Sequence, residues 1–304
     1  MKTYLYLLMF YMLVSPWGAS AKMKVVATLP ALGALAQEVG SGHIDVATLA
    51  SHNQDPHYVD ARPNLALKLN QADLVLVNGL ELEEAWLAPL MVNARNAKIT
   101  PGQDGYFDAS AQVSQLLMVP QGKVDRAQGD VHPGGNPHFI FDPRALSDIA
   151  LALGARMAKL DAENAQTYQD SAVKVSQQLT ALADSNKARF MALTESQRQV
   201  VSYHQSFPYL YDWLGLSDAA TIEPKPGIPP TPDRIARVMS VMRSSGAKVI
   251  IQEGFQPQNI SKTLIGLTNG SLVVVPAGPD VSAKETTAAW IGAYVEALYG
   301  ALSN

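Results

Sequence analysis

The chain has 304 residues, of which 47% are hydrophobic and 16% charged, and its formal net charge is −4. This length is enough for two domains with their own cores, and the mild acidity argues against nucleic acid as a partner. Cysteine is absent from the sequence, which excludes disulfides and limits any metal site to His, Asp, Glu, backbone or water ligands.

The first 21 residues have the pattern of a secretory signal peptide. Lys2 precedes an apolar run from Tyr4 to Val14, and the segment ends in the small-x-small cleavage pattern Ala19-Ser20-Ala21. The apolar run is shorter than the roughly 20 residues that a transmembrane helix needs. We therefore expect residues 1–21 to be removed and the mature protein to be periplasmic, with an uncleaved anchor as the alternative.

A strand followed by a helix recurs in the two halves of the chain. Residues 24–28 are apolar and β-branched, and a helical pattern follows that stops at Gly40. Residues 199–203 and the segment after them repeat this order. Each half adds an unbroken apolar strand, at residues 73–77 and 248–251, which is typical of parallel sheets covered on both faces. The sequence therefore predicts an α/β fold with two lobes of mainly parallel sheets.

Residues 155–207 contain neither glycine nor proline, and apolar residues recur at helical spacing between positions 161 and 193. This pattern predicts one helix of about 33 residues, roughly 50 Å long, with Asp161 as its N-cap. Its place between the two halves favours a rigid connection over an ordinary surface helix. The predicted segments are the signal peptide 1–21, an N-terminal lobe 22–145, a helical linker 146–196 and a C-terminal lobe 197–304.

Three of the six histidines belong to short motifs, Asp55-Pro56-His57, Asn136-Pro137-His138 and Val201-Ser202-Tyr203-His204. They are 81 and 66 residues apart, which is too far for one local motif and favours a site assembled from separate loops. Ligands of parallel sheets bind beyond the carboxyl ends of the strands, so we expect these loops to meet in the cleft between the lobes. Three imidazoles suit Zn²⁺ or a neighbouring divalent metal.

The same motifs resemble the zinc and manganese solute-binding proteins of ABC importers. Four blocks carry the resemblance, in the same order as in that family: residues 55–64 with 72–87, residues 136–143, residues 201–210 and residues 249–253. It covers nearly the whole mature chain. The resemblance implies two α/β lobes joined by one long α-helix, a metal site in the interlobe cleft, and delivery of the metal to a membrane permease.

Metal ligands carry over from the family residue by residue, as His57, His138, His204 and, after the apolar strand 271–275, Asp280. Histidine at the third position, where manganese-type members tend to have glutamate, points to Zn²⁺ as the transported ligand, with Mn²⁺ as the alternative. The implied partners are the divalent metal and the ABC permease. A monomer is expected.

Several residues near these motifs have more than one interpretation. Glu253 or a water molecule is an alternative fourth ligand. Asp55 and Glu253 either orient imidazoles from outside the ligand set or cap backbone groups. His132 is either a surface residue or a transient ligand. His43 and His52 are expected on the surface.

A zinc hydrolase is the rival class of function, because it also uses three protein ligands around an open position. The sequence contains no His-Glu-x-x-His and no Gly-x-Ser-x-Gly motif. We therefore predict no enzymatic activity. A surface adhesin on the same scaffold is a third class, and the missing lipid-anchoring cysteine argues against it.

Overall fold

The computed structural model describes residues 21–118, 132–225 and 227–304. Within them, eight strands form two sheets. The strands are β1 (Met23–Ala27), β2 (Ile44–Thr48), β3 (Leu74–Val77), β4 (Tyr106–Asp108), β5 (Gln199–Ser202), β6 (Ser217–Thr221), β7 (Val249–Glu253) and β8 (Ser271–Val275). Their orders are β2-β1-β3-β4 and β6-β5-β7-β8, and all the paired strands are parallel. The predicted α/β fold with two parallel lobes is confirmed.

Nine α-helices flank these sheets in the described part of the chain. They are α1 (Pro30–Gly40), α2 (Pro63–Asn70), α3 (Glu84–Ala94), α4 (Pro143–Leu160), α5 (Ala165–Met191), α6 (Pro208–Leu214), α7 (Pro232–Ser245), α8 (Gln258–Thr268) and α9 (Thr287–Ser303). Five of them begin with proline, whose fixed φ suits the first helical position and whose missing N–H costs nothing there. Each of these prolines therefore marks where a loop at the end of a strand turns into a helix.

Helices cover both faces of each sheet, which explains the unbroken apolar strands. All four residues of β3 and all five of β7 are buried. A parallel strand in the middle of such a sheet has no face toward water, so its sequence does not alternate between polar and apolar residues. The strands predicted at 73–77 and 248–251 are therefore confirmed as central strands.

The long helix begins four residues later than predicted. Asp161 ends α4 instead of capping α5, and a short 3-10 turn, Ala162–Asn164, joins the two helices. The Asp161 carboxylate accepts hydrogen bonds from Asn164 Nδ2 at 2.8 Å and from the Tyr168 hydroxyl at 2.6 Å. The connection between the lobes is consequently a pair of packed helices, α4 and α5, in which α5 alone spans about 40 Å.

The larger of two hydrophobic clusters runs through both lobes and includes α4, α5 and residues of the central strands of both sheets, and the smaller cluster lies within the C-terminal lobe. At the junction, the Phe141 ring lies 4.9 Å from that of Phe207 and 5.6 Å from that of Trp290, measured between centroids. The Phe141 carbonyl accepts hydrogen bonds from Trp213 Nε1 and the Tyr294 hydroxyl, both at 3.3 Å. Close packing of this kind resists large relative rotation of the lobes.

The N-terminal prediction lies outside the described residues, apart from Ala21. None of the helices in the described ranges is long and apolar enough to cross a membrane.

Candidate metal centre

Three loops bring His57, His138 and His204 together at the junction of the lobes. His57 lies between β2 and α2, His138 lies just before the 3-10 turn Phe139–Phe141, and His204 follows β5. One nitrogen of each ring lies within 4.8 Å of the corresponding nitrogens of the other two. The ring centroids are 5.3, 5.5 and 5.9 Å apart. The three predicted histidines therefore surround one point in space.

The loop of His57 is held by Asp55 and Trp86. Asp55 Oδ1 accepts the His57 backbone N–H at 2.9 Å and faces ring atom Nδ1 at 2.8 Å, while Trp86 Nε1 donates to the Pro56 carbonyl at 2.9 Å. Burial acts to raise the pKa of Asp55, but the hydrogen bonds from His57 and the attraction to it hold that pKa below its ordinary value. An ionised carboxylate only accepts, so Nδ1 carries the proton and Nε2 keeps its lone pair.

His138 has an amide in the same position. Asn136 Oδ1 lies 2.9 Å from the His138 backbone N–H and 3.0 Å from Nδ1, and Asn136 Nδ2 lies 2.8 Å from the Gln205 carbonyl. The backbone N–H only donates and the carbonyl only accepts, so both ends of the amide are assigned without ambiguity. Nδ1 of His138 therefore donates to Oδ1, and Nε2 again keeps its lone pair.

His204 is oriented by Glu223, whose Oε2 lies 2.6 Å from Nδ1. Glu223 follows β6, and its backbone N–H donates to the Tyr203 carbonyl at 2.9 Å. Sequence reasoning missed this residue, although a signal existed. An acidic residue soon after the strand that neighbours β5 is expected near the end of β5, because the carboxyl ends of parallel strands lie at one edge.

The centre is well shielded from water. The His57 and His138 side chains are buried, and the His204 side chain is 12% exposed. Burial lowers the pKa of His138 well below its ordinary value, and the neighbouring His57, His204 and His132 lower it further. A buried imidazole that resists protonation is a suitable donor, because only the neutral ring binds a metal.

The charge that balances a cation lies behind the imidazoles. Asp55 and Glu223 contact Nδ1 of two of the rings, and the third ring contacts a neutral amide. Two carboxylates match the charge of one divalent ion, which reduces the cost of removing that ion from water. Such outer partners also make the imidazoles more basic.

Glu253 is buried behind the centre at the end of β7. Its Oε2 accepts from the Ser206 hydroxyl and from Gln256 Nε2. Burial raises the pKa of Glu253 to about 6, although the Ser206 hydrogen bond and the attraction to His204 and His57 act to lower it. Ser206 lies two residues after His204, so these hydrogen bonds connect Glu253 to the loop that carries His204.

Asp280 follows β8, as predicted, but its carboxylate is not one of the three convergent groups. Oδ1 accepts from the hydroxyl and backbone N–H of Ser282 and from the Ala283 N–H. These hydrogen bonds, chiefly that from the Ser282 hydroxyl, lower its pKa, and nearby His52 adds to the effect. The preceding loop passes over His52, whose carbonyl accepts from the Ala277 N–H at 3.1 Å.

The remaining described histidines separate into two groups. His43 is exposed and His52 is partly exposed, in agreement with the expected surface positions. His132 is 9% exposed, and its ring centroid lies 5.7 Å from that of His57. His132 is therefore buried at the edge of the centre. This contradicts its interpretation as a surface residue.

A family model described as the periplasmic zinc-uptake complex component A, ZnuA, matches residues 25–301 of the chain. The chain belongs to this family. The match covers both lobes and all three histidine loops, in agreement with the resemblance carried by the sequence motifs. Membership makes the chain a substrate-binding component of a metal ABC importer and not an enzyme.

Relatives agree with this assignment, and a solved structure agrees with the fold. The metal ABC transporter substrate-binding lipoprotein SsaB of Streptococcus sanguinis is 24% identical over 253 residues, which cover 82% of this chain and 78% of that protein. The manganese ABC transporter substrate-binding lipoprotein PsaA of Streptococcus mitis is 26% identical over 253 residues, covering 82% and 77%. A crystal structure of ZnuA, 17% identical, superposes with a TM-score of 0.76 over 92% of this chain and 99% of that one.

Proposed function

We propose that the protein captures Zn²⁺ in the periplasm and delivers it to the permease of an ABC importer. The observation that carries this proposal is the convergence of three histidine nitrogens, from loops of both lobes, within 4.8 Å of one another. Each of the three rings has its Nδ1 fixed by an oxygen acceptor. The protein is proposed to act as a monomer.

The donor chemistry supports zinc over manganese. Three imidazoles are softer ligands than carboxylates and suit Zn²⁺, whereas Mn²⁺ prefers oxygen. Two nitrogens bound to one tetrahedral zinc lie about 3.3 Å apart. Because the nitrogens are already within 4.8 Å, binding draws any pair together by at most about 1.5 Å. The permease is thus proposed to recognise a modest rearrangement of the loops.

The function is tested by metal content and by titration. Mature protein, residues 22–304, purified from periplasm without added metal is expected to contain zinc by mass spectrometry, and zinc is expected to displace manganese in a competition titration. His204→Glu introduces an oxygen ligand and should reduce the preference for zinc by about tenfold or more. The exposed His43→Ala serves as a matched control that leaves the preference unchanged. Equal wild-type affinity for the two metals would contradict the zinc assignment.

Asp280 stays a prediction as the fourth ligand. To bind, its carboxylate has to leave Ser282 and Ala283. Comparing zinc titrations of Asp280→Ala and Glu253→Ala decides its role: a loss of affinity of about tenfold or more for the first alone assigns the carboxylate to the metal. Unchanged affinity in Asp280→Ala removes it from the ligand set.

Asn136→Asp tests the amide that links the two lobes. The aspartate keeps the acceptor for His138 but cannot donate to Gln205, and it places a negative oxygen beside that carbonyl. We expect zinc to dissociate faster, with affinity about tenfold lower. Asn70→Asp is the matched control, because the Asn70 amide also donates to a carbonyl, that of Ala94 at 2.8 Å, far from the centre. If Asn136→Asp instead binds zinc more tightly, the amide contributes only as an acceptor.

A further inference from the structure

The turn between β3 and α3 has an uncommon backbone. Gly79, Leu80 and Glu81 follow one another with positive φ values of 89°, 54° and 64°. A positive φ is uncommon for a residue with a side chain, and such a conformation persists only where the surrounding structure holds it. Two of the three residues here carry side chains. The turn 79–81 is therefore maintained by contacts from outside its own backbone.

The buried carboxylate of Glu83 supplies these contacts. Its Oε1 accepts hydrogen bonds from the Asn78 N–H and the Thr28 hydroxyl, both at 2.6 Å, and its Oε2 accepts from the Gly79 N–H at 3.2 Å. Burial raises the pKa of Glu83 to about 6, although these hydrogen bonds act to lower it. The group is thus ionised at pH 7, and its two oxygens satisfy three donors at the ends of β1 and β3.

The side chain of Asn78 connects this turn to the loop of His138. Asn78 Nδ2 donates to the Pro137 carbonyl at 3.0 Å and lies 3.5 Å from the Gly79 carbonyl. Carbonyls only accept, so the orientation of the amide is assigned without ambiguity. Its Oδ1 is buried and has no hydrogen-bond partner in the part of the chain that the structure describes. The amide therefore contributes as a donor, and it donates to the residue directly before His138.

Leu80 adds an apolar contact to the same loop. Its Cδ2 lies 2.7 Å from the position that a Cβ would take on Gly134, so the leucine packs directly on the turn before His138. On the other side, the Asn136 amide holds this loop to the C-terminal lobe. The ring of His138 is thus fixed from both lobes, and the contacts of the N-terminal lobe come from the turn 79–81 and the residue before it.

We propose that Glu83 is a positioning residue for the metal centre: its carboxylate holds the turn 79–81, and the Asn78 amide transmits that position to Pro137 and so to the ring of His138. The described hydrogen bonds of Glu83 go to Thr28 and to the backbone of the turn, so it acts through Asn78 and not on a histidine directly. A ring held in place before the ion arrives binds it more tightly than a ring that must first be ordered. This inference rests on the proposed function, since it concerns the same ion.

Glu83→Gln tests the carboxylate at nearly constant size. Glutamine offers one acceptor oxygen in place of two, so one backbone N–H of the turn faces an amide NH₂ instead of an oxygen. We expect zinc to dissociate about tenfold faster, measured by transfer to a chelator. We also expect the NMR resonances of the His138 ring to shift in the metal-free variant.

Asn78→Leu tests the link, because leucine has a similar size but cannot donate to Pro137. We expect the same acceleration of about tenfold. The double variant Glu83→Gln with Asn78→Leu should also release zinc about tenfold faster, and not about a hundredfold faster, because both changes interrupt one path.

Glu38→Gln is the matched control. Glu38 Oε1 likewise accepts a backbone N–H and a threonine hydroxyl, both from Thr287 at 2.8 Å, and burial raises the pKa of Glu38 as well. Its hydrogen bonds go to the start of α9, so we expect a lower melting temperature with unchanged zinc release and unchanged His138 resonances. If Glu83→Gln does not fold, Thr28→Val removes one donor to the same carboxylate and takes its place, with faster zinc release still expected.

The outcomes separate this inference from the proposed function. Zinc release and His138 resonances that match wild type in Glu83→Gln overturn the positioning role, even if the melting temperature falls as in Glu38→Gln. An acceleration of about a hundredfold in the double variant overturns the path through Asn78. Absence of zinc binding by the wild-type protein refutes the proposed function, whereas the His138 resonances of the metal-free variants still report whether Glu83 positions that ring.

Discussion

Zinc at about a thousand times its dissociation constant is expected to raise the melting temperature of a chain of residues 22–304 by roughly 10 °C. Ligand binding to the folded state alone contributes about 4 kcal/mol under these conditions. For a chain of this size, one kcal/mol corresponds to roughly 2–4 °C. Because one core includes both lobes, we expect a single transition that moves as a whole, measured by calorimetry with and without a chelator.

The matched variants for this experiment are His138→Ala and His43→Ala. His138 is the most deeply buried of the three convergent rings, and its removal should abolish most of the zinc-dependent shift. His43 lies exposed and should leave the shift intact. A wild-type melting curve that does not respond to saturating zinc would falsify the site.

Zinc affinity is expected to fall by at least about tenfold between pH 7 and pH 5. Protons compete with zinc for imidazoles, whose ordinary pKa is about 6.5. Burial holds the pKa of His138 well below its ordinary value, so we expect the loss to be smaller than for a site of three exposed histidines.

The same shift has a consequence for the metal-free protein. His138 remains neutral when folded but takes up a proton below about pH 6.5 when unfolded, so its contribution destabilises the fold as pH falls through that value. Glu83 and Glu253 have the opposite effect on stability. Burial raises the pKa of both carboxyl groups to about 6, so between about pH 6 and 4.5 the folded state binds protons that the unfolded state does not. Their contribution therefore stabilises the fold as the pH falls through this range. Zinc titrations with a competing chelator between pH 7 and pH 5 measure zinc affinity separately from the stability of the fold. A flat affinity profile would mean that carboxylates dominate the site.

Much of the fold was predictable because the decisive signals are local. The unbroken apolar runs that became β3 and β7 are typical of strands with both faces covered, and the prolines at helix starts mark where the loops end. The break between α4 and α5 was not predictable from composition, since the segment lacks glycine and proline. It depends on tertiary contacts, including the side-chain bonds of Asp161 and the close approach of Gly154 to Ala172.

The candidate site was likewise predictable only in part. The motifs around His57 and His138 carry their own orienting residue two positions earlier, so both could be read locally. Glu223 reaches His204 through the pairing of β6 with β5, so its position just after β6 becomes informative only when the strand order is known. The place of Asp280 depends on the path of the loop after β8, and strand patterns contain no information about that path. His132 became visible as a neighbour only through its ring contact with His57.

The continuous core through both lobes also limits how this protein can be used as a biosensor. A pair of fluorophores, one on each lobe, would change separation by little more than the contraction of the metal centre, and energy transfer between them would hardly respond. Splitting the chain between the lobes would divide the packing around Phe141 and expose it to water. A single environment-sensitive dye on one of the three histidine loops is the better design, because the proposed binding contracts these loops while the scaffold stays fixed.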